Sequence, residues 1–366
     1  MVNTQKMQKT AAPPYNVIAL MIKMQQFFKQ YFFTWLTGYS SLIFLLFSSA
    51  AGAQKLPPEK LQVAQQIEEF AQMMADEHKF NAQEIKNKLH QAKFRQDIID
   101  KITRPAEAMP WHQYRKIWMK PKRIQGGVEF WLQHRETLQK AQEKYGVPPE
   151  IIVSIIGVET FFGRIQGSYP VIDALYTLGF HYPKRASFFR RELAQYWLLA
   201  REQDWPLDSV KGSYAGAMGM GQFISSSYRA YGVDFNQDGQ VNLFDDPVDM
   251  IGSVANYFHQ HRWQANGFVA RNVDLPKNLT ALVQTDLELK LIASEVAQDE
   301  TLSMLAENNT NKLGVFAFEL PDNQRQHWLV GDNFYVITRY NRSTLYALAV
   351  FQLSEQIRSA YAAQLK

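Results

Sequence analysis

Glu159 is the residue in this sequence best placed to exchange a proton with a substrate. It ends an almost wholly apolar run, Ile151-Ile152-Val153-Ser154-Ile155-Ile156-Gly157-Val158, that opens at Pro148-Pro149-Glu150. Prolines in a first turn, with an acid near the positive end, predict a helix that starts there. A helix apolar on most faces is buried on most faces. Its glutamate then emerges at the negative pole of the helix, beside Phe161 and Phe162, with Gly163 as the expected C-cap. Both surroundings disfavour the charged carboxylate and raise its pKa, the condition a general acid needs near neutral pH. A glutamate that merely turns to solvent where the helix stops would leave the same local pattern, so both readings stay open.

Two further segments carry chemistry. Gly212-Ser213-Tyr214-Ala215-Gly216-Ala217-Met218-Gly219-Met220-Gly221-Gln222-Phe223 is a run of small residues with polar handles. It lacks the signature of a phosphate loop and the strand context of a dinucleotide site. Small residues let backbone approach a bulky ligand, while Ser213, Tyr214 and Gln222 offer hydrogen bonds. The bland alternative is close helix–helix packing. Asp234-Phe235-Asn236-Gln237-Asp238-Gly239-Gln240 matches a calcium loop, with oxygen ligands at positions 1, 3 and 5, glycine at 6 and the Gln240 carbonyl next. Position 12 is Asp245, too short for easy bidentate closure, and Asp249 lies a helical turn further on as the better-placed last ligand. A polar turn of the Asx type is the alternative.

The rest of the chain must position these groups. Leu61–Ala75 and Ala82–Ile102 carry apolar residues at helical spacing (Phe70, Met73, Met74; Ile85, Leu89, Phe94, Ile98) and read as two amphipathic helices ending at Arg104-Pro105. Trp111, Tyr114, Trp118, Phe130 and Trp131 crowd together as core, with one or two free to stack on a ligand. From about Ala265 to Val330 the composition shifts to Asn, Thr and Val. Gly314–Phe318 alternates like a strand before a turn at Pro321-Asp322-Asn323, and Thr344–Ala362 reads as a helix.

Composition bounds the answer. The chain has 366 residues, 46% of them hydrophobic, and a net charge of +4 without any Lys/Arg block, which argues against a nucleic-acid partner. It has no cysteine, excluding disulfides, thiolate metal sites, cysteine nucleophiles and a thiol-linked lipid. Lys23 and Lys29 precede an uncharged stretch from Gln30 to Gln54 around Leu42–Phe47, followed by Ala51-Gly52-Ala53. That is the pattern of a secretory leader cleaved after Ala53; an uncleaved anchor is the alternative, since Tyr31–Phe47 nearly reaches the ~20 residues that span a bilayer. Either way the folded part is exported.

At this point a resemblance becomes specific. Gly157–Thr160, Gly212–Gly219 with Gln222-Phe223, Ile251–Phe258 and Phe334–Asn341 are similar to the signature blocks of the membrane-bound lytic murein transglycosylase B family. Met109-Pro110-Trp111, Phe130-Trp131, Asp173-Ala174-Leu175 and Tyr182-Pro183 also match. The resemblance implies a mainly helical α+β fold: a lysozyme-like catalytic core with a flanking helical domain, a small β subdomain and a calcium loop of EF-hand type. The corresponding domains are a leader or anchor over 1–53, a helical domain over 54–110 and the core over 111–265 with its loop at 234–249. The β subdomain covers 266–330, and a return to the groove with the final helix covers 331–366. Two departures stand out: the family's lipoproteins attach through a cysteine that is missing here, and the acidic segment before Pro247 is one residue longer than usual.

The activity implied is cleavage of the β-1,4 bond between N-acetylmuramic acid and N-acetylglucosamine with closure of a 1,6-anhydro ring. Glu159 would serve as acid and then as base, where most glycosidases use two carboxylates. Ser213, Tyr214, Gln222, Tyr257, Tyr340, Asn341 and Tyr346 match positions lining the glycan groove, with Tyr114, Lys184 and Arg185 as further contacts. Asp234, Asn236, Asp238, Gln240 and Asp249 would hold a structural calcium ion; no organic cofactor is implied. Expected partners are peptidoglycan strands, and synthases or other hydrolases of the wall, in the periplasm or at the inner membrane. A hydrolytic muramidase and a non-catalytic murein binder are the competing classes; the former would release reducing ends, the latter could dispense with Glu159.

Overall fold

A computed structural model of the chain describes residues 58–104, 109–275, 277–290 and 312–365. The leader over 1–53, its cleavage site, and the middle of the expected β subdomain lie outside these residues. Among the described residues no helix is long and apolar enough to cross a membrane.

The N-terminal segment is helical, as its periodicity predicts, but in three pieces: α1 (Pro58–His78), α2 (Ala82–Gln91) and α3 (Gln96–Ile102). The second expected helix is broken at Ala92–Arg95, and the cause lies far away in sequence. The Lys93 and Arg95 amides donate to the side chains of Asp173 and Thr177, and the Arg95 guanidinium reaches the same aspartate at 3.3 Å. These bonds replace the intrahelical ones, and Phe94, expected on the apolar face, is turned out to 48% exposure against His181.

Helices α4 (Trp111–Trp118), α5 (Pro121–Gln133) and α6 (Arg135–Tyr145) lead into α7 (Pro149–Thr160), which carries Glu159. Every residue of α7 from Ile151 to Val158 is buried, because α5, α6, α11 (Pro247–Gln260) and α13 (Thr344–Gln364) all pack on it. Even its one polar interior residue is satisfied: the Ser154 hydroxyl donates to the Val350 carbonyl at 2.7 Å. A second layer, α8 (Val171–His181), α9 (Ala186–Glu202) and the short α10 (Ser225–Tyr231), joins α1 to this core through Phe70 against Phe180. The crowded aromatics are mostly core, with Trp111 and Tyr114 each about 1% exposed and Trp118 half-buried.

The β subdomain is a three-stranded antiparallel sheet in the order β3 (Ala270–Val273), β5 (Arg325–Val330), β4 (Gly314–Glu319). Its alternation sends Val315 and Leu329 to a small satellite cluster and Phe316, Phe318 and Trp328 to the main core. Phe318 meets Trp111 of α4 at 5.5 Å and Phe316 meets Phe334 of α12 (Asp332–Tyr340) at 6.1 Å. A two-residue ribbon, β1 (Tyr169–Pro170) with β2 (Lys211–Gly212), closes the other side.

Replacing Asp173 by Ala strips a buried carboxylate from the Lys93 amide and Arg95. Urea unfolding should show a loss of about 2 kcal/mol, with amide exchange rising first in α2 and α3.

Candidate active site

The chain leaves α7 through three successive residues with left-handed backbone, Phe161 (φ 52°), Phe162 (φ 60°) and Gly163 (φ 81°). The cap is therefore Phe161, two positions earlier than the expected Gly163. The Phe161 amide donates to the Gly157 carbonyl and the Phe162 amide to that of Ile156, which closes the helix end as a Schellman-type turn. Left-handed backbone costs a phenylalanine about 1 kcal/mol, and packing offsets it. The Phe162 ring folds back over α7, where a Cβ on Gly157 would come within 2.7 Å of it. Glycine at 157 is the space that ring occupies.

Thr160 fixes this turn from inside. Its hydroxyl donates to the Met220 carbonyl at 2.6 Å and accepts the Gly163 amide at 2.9 Å. The Met220 amide in turn donates to the Leu243 carbonyl at 2.8 Å. The helix end, the small-residue run and the tail of the acidic loop are thus tied by consecutive hydrogen bonds. Gln166 repeats the tie: its amide donates to the Gly163 and Phe244 carbonyls while its own carbonyl accepts from Gln222.

Glu159 is half-buried, and its Oε1 accepts the Tyr346 hydroxyl at 2.5 Å. Tyr346 lies in the first turn of α13, where the Ser343 hydroxyl oxygen accepts its amide as an N-cap. Burial, then the Glu159 charge, push the Tyr346 and Tyr340 phenols well above the ordinary tyrosine value, so both stay neutral donors. Tyr340 donates to the Gly221 carbonyl at 2.6 Å and Tyr257 to that of Arg339 at 2.6 Å, with their rings 4.8 Å apart. These two hydroxyls are committed to backbone, so the tyrosines act as a wall that presents ring faces. Tyr114 is close enough to Tyr346 to help hold its phenol up.

The small-residue run forms turns and bridges, Gly212 with Met218 and Met218 with Phe223, and not the helix packing that was one expectation. Ser213 organises it by accepting the Ala215 and Ala217 amides. Gln222 adopts left-handed backbone and donates to the Gln166 and Gly219 carbonyls, which locks its side chain. Tyr214 is half-buried beside Lys101, and half-buried Asn341 follows α12. Lys184 and Arg185 stand exposed on a short turn, with Arg185 over the Phe188 ring at 4.4 Å. Among the described residues no hydrogen bond or ion pair ties them to Glu159. Thr160 and Gln166 were not singled out from sequence. A hydroxyl beside the helix-end glutamate was the one available signal.

The acidic loop sits between α10 and α11. Asp234 accepts the Asp238 and Gly239 amides, Asp238 accepts that of Gln240, and Gly239 has φ 93°. Asp249 is fully buried; its oxygens accept the Phe235 and Asn242 amides at 2.8 Å, and burial raises its pKa against those bonds. Asp245 is exposed, with its amide donating to the Asn242 side chain. Sequence reasoning missed Asp246. The Asn236 amide nitrogen lies 3.0 Å from an Asp238 oxygen and 2.6 Å from an Asp246 oxygen. A positively polarised group thus stands between two carboxylates, and the donors are hard oxygens throughout, which suits a calcium ion. Among the described residues no three acids or histidines are already gathered as a cage.

Residues 62–355 match the family model described as the transglycosylase SLT domain. The chain is 41% identical over 306 residues to membrane-bound lytic murein transglycosylase B of Escherichia coli K12, covering 80% of this chain and 82% of that one. The crystal structure of the soluble lytic transglycosylase SltB1 of Pseudomonas aeruginosa superposes with a TM-score of 0.73 at 45% identity, over 81% of this chain and 99% of that one. The E. coli lytic transglycosylase Slt35 in complex with calcium superposes with a TM-score of 0.71 at 40% identity, over 82% and 94% of the two chains.

Replacing Thr160 by Val keeps the shape and removes both bonds of the helix-end turn. Steady-state kinetics should show kcat down about tenfold with KM little changed. Thr160→Ser should restore most of the rate, which a purely volumetric role would not predict.

Proposed function

The chain belongs to the transglycosylase SLT family and is a lytic murein transglycosylase, a lyase acting on peptidoglycan, and from that premise we propose that Glu159 is its single acid and base. The observation that carries this reading is a half-buried carboxylate at the mouth of an apolar helix, with one oxygen already bonded to Tyr346. In the resting enzyme the carboxyl group carries a proton. Glu159 gives this proton to the glycosidic oxygen as the bond from the muramoyl C1 breaks. The resulting carboxylate then takes the proton of the muramoyl C6 hydroxyl, whose oxygen attacks C1 and closes the 1,6-anhydro ring. The substrate's N-acetyl group supports the cationic centre meanwhile. When Glu159 becomes anionic, the Tyr346 hydroxyl bond strengthens, because a charged acceptor binds a donor more tightly. Ser213, Tyr214, Gln222, Tyr257, Tyr340 and Asn341 line the glycan path, with Tyr114 behind Tyr346; Lys184 and Arg185 would meet substrate further out.

Asp234, Asn236, Asp238, the Gln240 carbonyl and an acid from the far side of the loop would hold calcium. The bound ion supplies charge that fixes the loop. Its tail carries Leu243 and Phe244, whose carbonyls hold Met220 and Gln166. The role is structural, since proton transfer by Glu159 needs no metal. The basic, apolar and small-residue leader supports export to the periplasm, with retention at the inner membrane if it is not cleaved. Wall synthases or hydrolases are the expected company there.

Glu159→Gln should lower turnover at least about 100-fold while leaving melting temperature and glycan binding near wild type. Mass spectrometry of the wild-type products should show anhydro ends; reducing ends in their place would make the enzyme a hydrolase.

Calcium should raise the melting temperature and a chelator lower it, by mass action worth about 2.7 kcal/mol at a hundredfold excess over Kd. Asp238→Ala should erase that difference. A melting curve indifferent to calcium would reduce the loop to an Asx turn.

A further inference from the structure

Two residues beyond Glu159, two guanidiniums converge on one aromatic ring. Arg123 of α5 lies 5.3 Å from the centre of the Phe161 ring, and Arg164 lies 4.8 Å from it. Arg123 also lies 4.9 Å from the Trp118 ring, which meets Tyr114 edge-on at 5.7 Å. Tyr114 in turn neighbours Tyr346, the donor to Glu159. A continuous line of contacts therefore runs from the acid to this pair.

Among the described residues no salt bridge involves Arg123 or Arg164. Arg123 is half-buried, gives one Nη1 proton to the Ile117 carbonyl at 2.9 Å, and has a buried Nε without an acceptor. Its position is costly as well. Lys120 is the N-cap of α5, Lys122 and Arg123 follow in the first turn, and no acid stands there. Cations at the positive end of a helix each lose a few tenths of a kcal/mol. A half-buried arginine paired with an exposed one, neither with a carboxylate of its own among the described residues, suits an anion that arrives with the ligand.

We propose that Arg123 and Arg164 bind a carboxylate of the peptide borne by the muramoyl sugar, so that the enzyme prefers peptide-bearing strands to bare glycan. This rests on the reading of Glu159 as the transglycosylase acid. The peptide leaves the muramoyl ring through its lactyl ether, close to the bond being cut, so a receptor for it belongs within a few residues of that acid. Two planar guanidiniums can grip a carboxylate with paired hydrogen bonds, and the Phe161 and Trp118 rings offer apolar surface to alanine methyl groups. A flat anionic membrane would match the charge but reaches a half-buried Arg123 poorly.

Kinetics on three forms of one oligosaccharide test the proposal: without peptide, with free-carboxylate peptides, and with the same peptides amidated. Wild type should favour the free acid over the amide about tenfold in kcat/KM, and R123Q/R164Q should bring that ratio near one, with the loss in KM. Arg164 is exposed, so Arg164→Gln alone, with an unchanged melting temperature, should already lower the ratio severalfold if both arginines take part. Equal losses on acid and amide, or a wild type indifferent to amidation, overturn the proposal. So does loss of binding to phosphatidylglycerol vesicles in the double variant with an unchanged ratio, which would make the pair a membrane contact. Absence of anhydro products from all three substrates with wild type would instead defeat the transglycosylase reading itself.

Discussion

A carboxylate can leave an apolar helix only where the helix ends, and the remaining architecture is organised around that one exit. α7 is enclosed by four other helices, so Glu159 has no lateral escape to water. The position of its side chain is then set by how sharply the chain turns away after Thr160. Three left-handed residues make that turn, a buried threonine bolts it to Met220, and a tyrosine from α13 takes hold of the carboxylate itself. Each device acts on orientation. The carboxylate thus lies between an apolar helix end and the Tyr346 hydroxyl that donates to it.

The acidic loop belongs to the same construction, although it lies apart from Glu159. Its tail, Leu243 and Phe244, supplies backbone carbonyls to Met220 and Gln166, and both of these return to the turn after α7. The glycines of the intervening run make the approach possible: a Cβ on Gly219 would come within 2.4 Å of the Leu243 carbonyl oxygen. Loop, run and helix end are therefore one hydrogen-bonded assembly, built mostly from backbone groups. Fixing any one of them restrains the others.

What the sequence revealed follows from the range of each interaction. The buried helix, the exit of Glu159 and the strand at Gly314–Phe318 are local patterns, and period and turn residues were enough to read them. The break at Ala92–Arg95 was invisible because its acceptors, Asp173 and Thr177, are about 80 positions away. The same holds for the Thr160–Met220 bond. Tyr340 and Tyr346 stood out only through a family resemblance, since no local signal marks a tyrosine as a partner of a distant acid. In the loop, spacing found Asp234, Asn236 and Asp238 but missed Asp246, because the residue that approaches Asn236 is decided by how α11 begins. The left-handed Phe161 defied expectation for a simpler reason: glycine two positions later was the more economical cap, and the ring packing that outweighs that economy is tertiary.

The bond between Tyr346 and Glu159 joins residues 187 positions apart, with the whole β sheet threaded between them. During synthesis, the acid is made long before its donor exists. A nascent chain that has reached the sheet already contains α7 and the acidic loop, yet it lacks α13, and with it both Tyr346 and the Val350 carbonyl that satisfies Ser154. The order of synthesis thus withholds the hydroxyl that holds Glu159 until the last helix is made. This contact can close only after nearly all of the chain has emerged, so truncated or interrupted products carry Glu159 without its setting.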